Sequence, residues 1–385
     1  MSSHWRNVAT RTSELWTDIE VSIRRPTGSL GPYIARSNRR PLAITIDLCS
    51  PTRRKPTNFC RIIRSQMFRC RSLHILTDSS PPEDLYPLLL QLHSEALPLL
   101  EAFSITQDFY NETDSELFPP FTLRNLFPKG APQLVSARYQ GLGLAVCRPP
   151  LPNLTTLFIH NADYLERWNY ETFNLFVAEV PRLEYLSVQG DLCKWDYPLN
   201  ARIDFPSLLA LRIRYDDDVD EDLPGLWIYA NAPRLETLHI MAGINSDIAG
   251  GFPLLLGRIP FPALKSLTLD ECHFNDSTFK TLTAIFPSIK HLTCLSLDKP
   301  FVKALATCDV WPEIESVRLW GLRENRGLHH GLVQTMLKAR IARGKPIQKL
   351  VIANNPPTFP SFFLRDYVRV EYMDLPPAWP EWDVP

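Results

Sequence analysis

Glycine is scarce in this sequence, with 15 residues among 385, whereas proline is abundant at 35. Ordinary usage runs the other way, with glycine at about 7% and proline at about 5%. Few glycines leave little room for Gly-rich phosphate cradles, and so many prolines break long helices and central strands. Catalytic motifs are absent as well: there is no G-x-x-x-x-G-K-[ST], G-x-S-x-G, H-E-x-x-H or G-x-G-x-x-G. No enzymatic activity and no cofactor are therefore expected. The eight cysteines include no C-x-x-C pair, which fits reduced intracellular thiols better than a disulfide framework or a zinc site. Long apolar runs are also missing. The greasiest stretch, 85–100, is interrupted by Pro87, Gln91, His93, Glu95 and Pro98, and the N-terminus has no apolar h-region. The expectation is a cytoplasmic or nuclear protein with no membrane partner.

Apparent ligand clusters fail on spacing. The acidic run 216–222 places Glu221 and Trp227 where an EF-hand loop needs Gly and Glu, so it reads as solvated loop. His329 and His330 are adjacent on a predicted helix and diverge by about 100°. Cys272 next to His273 is explained as a repeat-core residue. No metal site is expected.

What is present describes a globular chain: 45% hydrophobic residues, 22% charged and a net charge of −1. Charge is uneven, however. Residues 1–75 carry 14 Lys and Arg against 4 Asp and Glu. Such a segment can meet nucleic acid or an acidic partner. No base-stacking aromatics accompany it, so solvated arginines are the preferred reading and no nucleic-acid partner is expected.

A nine-residue phrase recurs: apolar, Pro, any, Leu, any, any, Leu, any, aliphatic. Clear copies are LPNLTTLFI from Leu151, VPRLEYLSV from Val180, FPSLLALRI from Phe205, APRLETLHI from Ala232 and FPALKSLTL from Phe261. Looser ones start at Leu97, Ala131, Phe286 and Trp311, and copies without proline centre on Leu73, Leu350 and Val370. The nine prolines are 98, 132, 152, 181, 206, 233, 262, 287 and 312, and several gaps are 25 residues. A period near 25 around L-x-x-L-x-L is the leucine-rich-repeat signature. The last two apolar positions, two apart, point to one face of a short strand. Stacking neighbours buries a row that one repeat cannot bury alone. Cys272 stands at the Asn/Cys position of one copy.

Between the phrases, helical spacing predicts helices over 83–92 (opened by Ser80, Pro81 and Pro82), 171–180, 278–286 (capped by Asp276 or Ser277) and 328–343 (ended by Gly344). The fold class expected is α/β: an irregular leucine-rich-repeat solenoid, a horseshoe with parallel strands on its concave face and helices or loops outside.

The N-terminal stretch SHWRNVATRTSELWTDIEV is not repeat-like. It resembles the closing segment of an F-box, a helix bearing V-C-x-x-W-R-x-V-A that runs into a T-P-x-L-W turn. Trp5, Arg6, Val8 and Ala9 match the helix, and Leu15 and Trp16 match the L-W pair. IARSNRRPLAITIDL resembles the strand that follows in fungal F-box proteins, and FPALKSLTLDEC, WPEIESVRLW and ARIARGKPIQKLVI resemble their repeats. The resemblance implies the substrate-recognition subunit of a Skp–cullin–F-box ubiquitin ligase, with a Skp-type adaptor and a protein target as partners. It makes Trp5, Val8, Leu15 and Trp16 an adaptor-docking remnant. Nothing before Trp5 supplies the opening L-P-x-E-I-L helix, so either the chain is truncated or the docking module is lost. The alternative is a leucine-rich-repeat scaffold with no ligase connection, in which Trp5 and Trp16 cap the repeat core. The expected organisation is an F-box remnant at 1–25, a linking strand and basic connector at 26–67, the solenoid at 68–375 and a Pro/Trp-rich tail at 376–385.

Residues flanking the inward pair on each strand are expected on the concave surface, the usual recognition face of a solenoid. Those columns give Arg138, Phe158, His160, Tyr185, Gln189, Arg212, Arg214, His239, Met241, Arg318 and Trp320. Arginine and aromatics are enriched in binding hot spots, so the group points to a protein target with acidic and apolar parts.

Overall fold

A computed structural model describes residues 2–22, 30–49, 63–77, 85–107, 126–141, 147–160, 169–190, 201–214, 226–241, 254–258, 260–270, 272, 276–295, 299–307, 310–319, 330–353 and 364–373. The acidic run 216–222, His273, Trp320, His329, Ser80 to Pro82 and the tail 376–385 lie outside the described residues. The chain forms two compact units, Met1–Arg167 and Trp168–Pro385, a division that the repeat spacing does not mark.

In the first unit, six parallel strands lie side by side in chain order: β1 (Asp18–Ser22), β2 (Leu42–Asp47), β3 (Cys70–Thr77), β4 (Ala102–Gln107), β5 (Ser136–Gln140) and β6 (Thr156–His160). The sheet therefore begins at Asp18, inside the segment that the sequence assigns to an F-box remnant. Helices α1 (Ser3–Arg11), α2 (Leu30–Arg36) and α3 (Leu85–His93) belong to this unit.

In the second unit, β7 (Tyr185–Gln189), β9 (Ala210–Arg214), β11 (Thr237–Met241), β12 (Ser266–Asp270), β13 (His291–Cys294), β14 (Ser316–Leu319), β15 (Lys349–Ala353) and β16 (Arg369–Met373) pair in parallel in that order. A separate pair joins β8 (Ile203–Asp204) to β10 (Ala230–Asn231). The helices are α4 (Tyr170–Ala178), α5 (Leu226–Tyr229), α6 (Asp276–Ile285), α7 (Lys299–Thr307) and α8 (His330–Ala342).

The repeating phrase has a definite backbone meaning. Each proline stands four residues ahead of its strand, as Pro98 does to Ala102 and Pro312 to Ser316. In most copies the Leu two residues after the proline donates its N–H to the carbonyl just before the proline, as in Leu100 to Leu97 (3.2 Å), Leu154 to Leu151 (3.0 Å) and Leu235 to Ala232 (3.1 Å). The proline is thus the second residue of a β-turn, where its fixed φ is favoured and its missing N–H is not needed. Both ends of the turn are buried, for example Leu97 and Leu100, Ala232 and Leu235, or Trp311 and Ile314.

Register then aligns the inward residues into two columns per unit. In the second unit one column runs Leu186, Leu211, Leu238, Leu267, Leu292, Val317 and Leu350 to a half-buried Val370, and the other runs Val188, Ile213, Ile240, Leu269, Cys294, Leu319 and Ile352 to Tyr372, which is exposed on the last strand. Cys272 donates its Sγ–H to the carbonyls of Asp270 (3.2 Å) and of Ile240 on the neighbouring strand (3.7 Å).

Helices present apolar faces at helical spacing, as with Phe173, Phe176 and Val177 in α4 or Phe279, Leu282 and Ile285 in α6. Asn169 rather than Glu171 marks the start of α4, accepting from the Thr172 N–H at 2.8 Å. Ser277 lies inside α6, whose first residue is Asp276. In α8 the buried phase is Val333, Met336, Leu337 and Arg340, so a cation occupies the last core position. Gly344, at φ +69°, follows α8 in the left-handed conformation that glycine tolerates best. Among the described residues no helix is long and apolar enough to cross a membrane.

Candidate interaction surfaces

Helix α1 opens on Ser2, whose hydroxyl accepts from the Trp5 N–H at 3.3 Å. None of its residues is buried. Trp5 and Val8, one helical turn apart, are 64% and 40% exposed, and Leu15 in the following turn is 62% exposed. The two tryptophans separate in role. Trp16 donates its indole N–H to the Ala9 carbonyl at 2.6 Å, packs edge-on against Tyr33 at 4.9 Å and lies beneath the Arg36 guanidinium at 4.4 Å. Trp16 therefore ties the α1 turn to α2 within this unit, while Trp5 stays uncovered.

On the strand face opposite the core columns of the first unit, register places Thr45, His74, Ser104, Arg138 and Phe158 in one row. The Arg138 guanidinium lies over the Phe158 ring, 4.7 Å from its centre, a favourable cation–π geometry. Phe158 is only 3% exposed. It is therefore a platform under Arg138 rather than the open contact residue its column suggested, and His160 meets it edge-on at 6.1 Å. The next row is all small, with Ser72, Ala102, Ser136 and Thr156. Two polar atoms here are buried without a hydrogen-bond partner, Arg138 Nε and Thr156 Oγ1. His74 shares a 2.8 Å hydrogen bond with Ser72. Burial first, and the Arg138 charge second, push its pKa down, so it stays neutral.

In the second unit the corresponding row runs Ser187, Arg212, His239, Thr268, Thr293, Arg318, Val351 and Glu371. His239 is 7% exposed, again covered where its column suggested an open face. Burial, and then Arg212 on the adjacent strand, lower its pKa to about 3. Arg214 and Met241 are register partners at the strand ends. Tyr185 belongs to the flanking row with Ala210 and Thr237, so register does not bring it beside Arg212. Glu371 is held ionised by Lys349 at 2.6 Å, with Arg369 and Arg318 adding to it.

The residues that sequence columns missed are His74, Ser104, Ser136 and Thr156. The same column reading, carried two repeats toward the N-terminus and onto the small side chains, finds all four. Among the described residues no three His, Cys, Asp or Glu side chains gather as metal ligands. No known protein-family model matches the chain, and no curated protein matches it either.

Proposed function

We propose that this chain is a non-enzymatic binding protein: an F-box-like leucine-rich-repeat subunit that brings a protein target to a Skp-type adaptor of a cullin ubiquitin ligase in the cytoplasm or nucleus. The observation that carries the reading is α1, a helix that buries none of its own residues and leaves Trp5 and Val8 open, with Leu15 open in the turn that follows it. Large exposed apolar side chains grouped in one place mark interaction sites. The occupant follows from the match of Trp5, Arg6, Val8 and Ala9 to the F-box closing helix. Strands paired in parallel, one per recurring phrase, support the leucine-rich-repeat reading of the remainder.

Co-expression with a Skp-type adaptor, followed by size-exclusion chromatography, tests this. The wild-type chain is expected to co-elute with the adaptor. The combined Trp5→Ala, Val8→Asp and Leu15→Asp variant is expected to elute alone with an unchanged unfolding midpoint, because these side chains support no core. A wild-type chain that elutes alone would instead favour a repeat scaffold without a ligase connection.

A further inference from the structure

We infer that a cleft in the second unit, at the β8–β10 pair and the 255–258 turn, binds the dianionic phosphate of a phosphomonoester, held by Arg202 and Arg258 together. The inference goes beyond the adaptor reading and does not depend on it.

Three observations converge. The first is space. Arg202, Asn231, Arg258 and Pro260 line a cleft of about 50 Å³ together with Ile228, Tyr229 and Ala230. A single water needs only ~10–15 Å³, so the cleft admits a group of several oxygen atoms. It reaches the surface, where Arg202 is exposed.

The second is charge without a partner. The lining holds two arginines and no acid. The Arg202 guanidinium makes no hydrogen bond or ion pair among the described residues. Arg258 donates one N–H to the Ile228 carbonyl at 3.4 Å, which leaves most of its guanidinium donors unused. Asp204, the acid of β8, accepts from the Asn231 amide at 2.5 Å and lies outside the lining. Two guanidiniums on one cleft repel each other, and a doubly charged anion between them relieves that repulsion. Their planar forks match phosphate oxygens with paired hydrogen bonds.

The third is that both arginines are anchored at the backbone. Tyr170, the first residue of α4, donates its hydroxyl to the Arg202 carbonyl at 2.6 Å and accepts from the Arg202 N–H at 3.1 Å. Arg258 closes a turn by donating its N–H to the Leu255 carbonyl at 2.9 Å, with Gly257 inside it at φ +83°. Anchored backbones reduce the ordering that binding must impose. Ile228, Tyr229 and Ala230 are at most 2% exposed, so salt screens a phosphate seated against them less than one on an open surface.

Other features carry less. Tyr372 is open on β16, the last strand, but nothing in the structure shows what covers it.

The test uses the full chain with methyl phosphate as the probe, read by phosphorus NMR linewidth, and methyl sulfate, its singly charged isostere, as competitor. Methyl phosphate is expected to bind one site with a Kd of about 1 mM or tighter, as two charge-assisted contacts imply. Methyl sulfate is expected to compete about tenfold more weakly, because it offers one charge to two cations. Binding should strengthen as pH rises through about 6, where a phosphomonoester gains its second charge. Arg202→Gln and Arg258→Gln are each expected to weaken binding about tenfold or more. Arg365→Gln, at an exposed arginine outside the cleft, is expected to leave it unchanged. The Arg202 guanidinium holds nothing in the fold, so Arg202→Gln should keep the wild-type urea midpoint and separates loss of the site from loss of the fold. No saturable binding, equal competition by methyl sulfate, or matching behaviour of Arg202→Gln and Arg365→Gln would overturn the inference. A phosphoserine peptide that binds tighter than methyl phosphate places the ligand on a protein, and one that binds no tighter places it on a free small molecule. Either of these outcomes supports the phosphate site.

Discussion

Arg340 in the second unit and Arg138 in the first are the same residue type under opposite conditions. Arg340 is 0% exposed, and its three guanidinium nitrogens donate to five backbone carbonyls: Lys345, Leu305, Val310, Trp311 and Pro312, at 3.1–3.4 Å. Leu305 lies in the last turn of α7, where carbonyls lack intrahelical partners. Trp311, itself at φ +45°, heads the turn that leads into β14 and donates its indole N–H to the Phe286 carbonyl at 3.0 Å. One side chain thus fastens α7, α8 and the turn between α7 and β14. Arg69 repeats the device in the first unit, donating to the carbonyls of Arg40 (2.9 Å) and Ile34 (3.4 Å), the latter in the last turn of α2. Arg138, by contrast, has an aromatic ring beneath it and a donor with nothing to meet. The difference separates an arginine that completes the fold from one left incomplete by it.

Breaking the satisfied side has the largest expected consequence. Arg340→Leu strands several carbonyls in the core and is expected to cost about 3–5 kcal/mol in urea unfolding, with Arg340→Lys recovering only part, because a point ammonium cannot match the fork. A loss below about 1 kcal/mol would show that water or the backbone takes over these acceptors.

Acid sharpens the contrast through His239, whose neutral form the second unit enforces. Its folded pKa, about 3, lies below the unfolded value of about 6.5, so the unfolded chain binds the extra proton. Stability should hold above about pH 6.5 and fall as pH drops from there toward 3, at up to about 1.4 kcal/mol per pH unit. His239→Gln is expected to flatten that part of the profile. A profile equally steep in the variant would assign the loss to other groups.

The smallest effect belongs to the unsatisfied side. Thr156, 1% exposed, loses no hydrogen bond when changed to Val, and Thr156→Val is expected to leave stability within about 0.5 kcal/mol or to raise it. A clear destabilisation would mean that the hydroxyl already has a partner.

The strands were legible in sequence because each phrase has four apolar positions at fixed offsets, and Leu97, Leu100, Phe103 and Ile105 are buried as that pattern requires. Leu73, Leu350 and Val370, without the proline, still mark β3, β15 and β16. Less legible were α2, α7 and the β8–β10 pair. α2 precedes the first phrase and the others lie between phrases, where no period constrains the residues, and α5 is a four-residue apolar run, Leu226–Tyr229, too short for helical spacing to register. Arg340 was concealed by its type: its spacing from Val333, Met336 and Leu337 is that of a core residue, but arginine is ordinarily read as surface. Of the candidate surface, Arg138 was visible from its column. Its importance was not, because a missing partner is a property of the neighbours on β4 and β6 and leaves no mark on β5 itself.

The constant distance from each proline to its strand also bears on how such a chain tolerates change. Side chains alternate between the two faces of a strand, so the offset of four residues sets which of them enter the core. Each turn resets that phase, and segments between successive prolines vary from 20 to 34 residues without disturbing the next strand. Length errors outside the phrase are forgiven at the following proline. A single residue gained or lost inside it exchanges the two faces of that strand, sending Arg138 inward on β5 or Arg212 inward on β9. The repeats therefore divide the sequence into stretches that can drift freely and short frames that cannot shift by even one position.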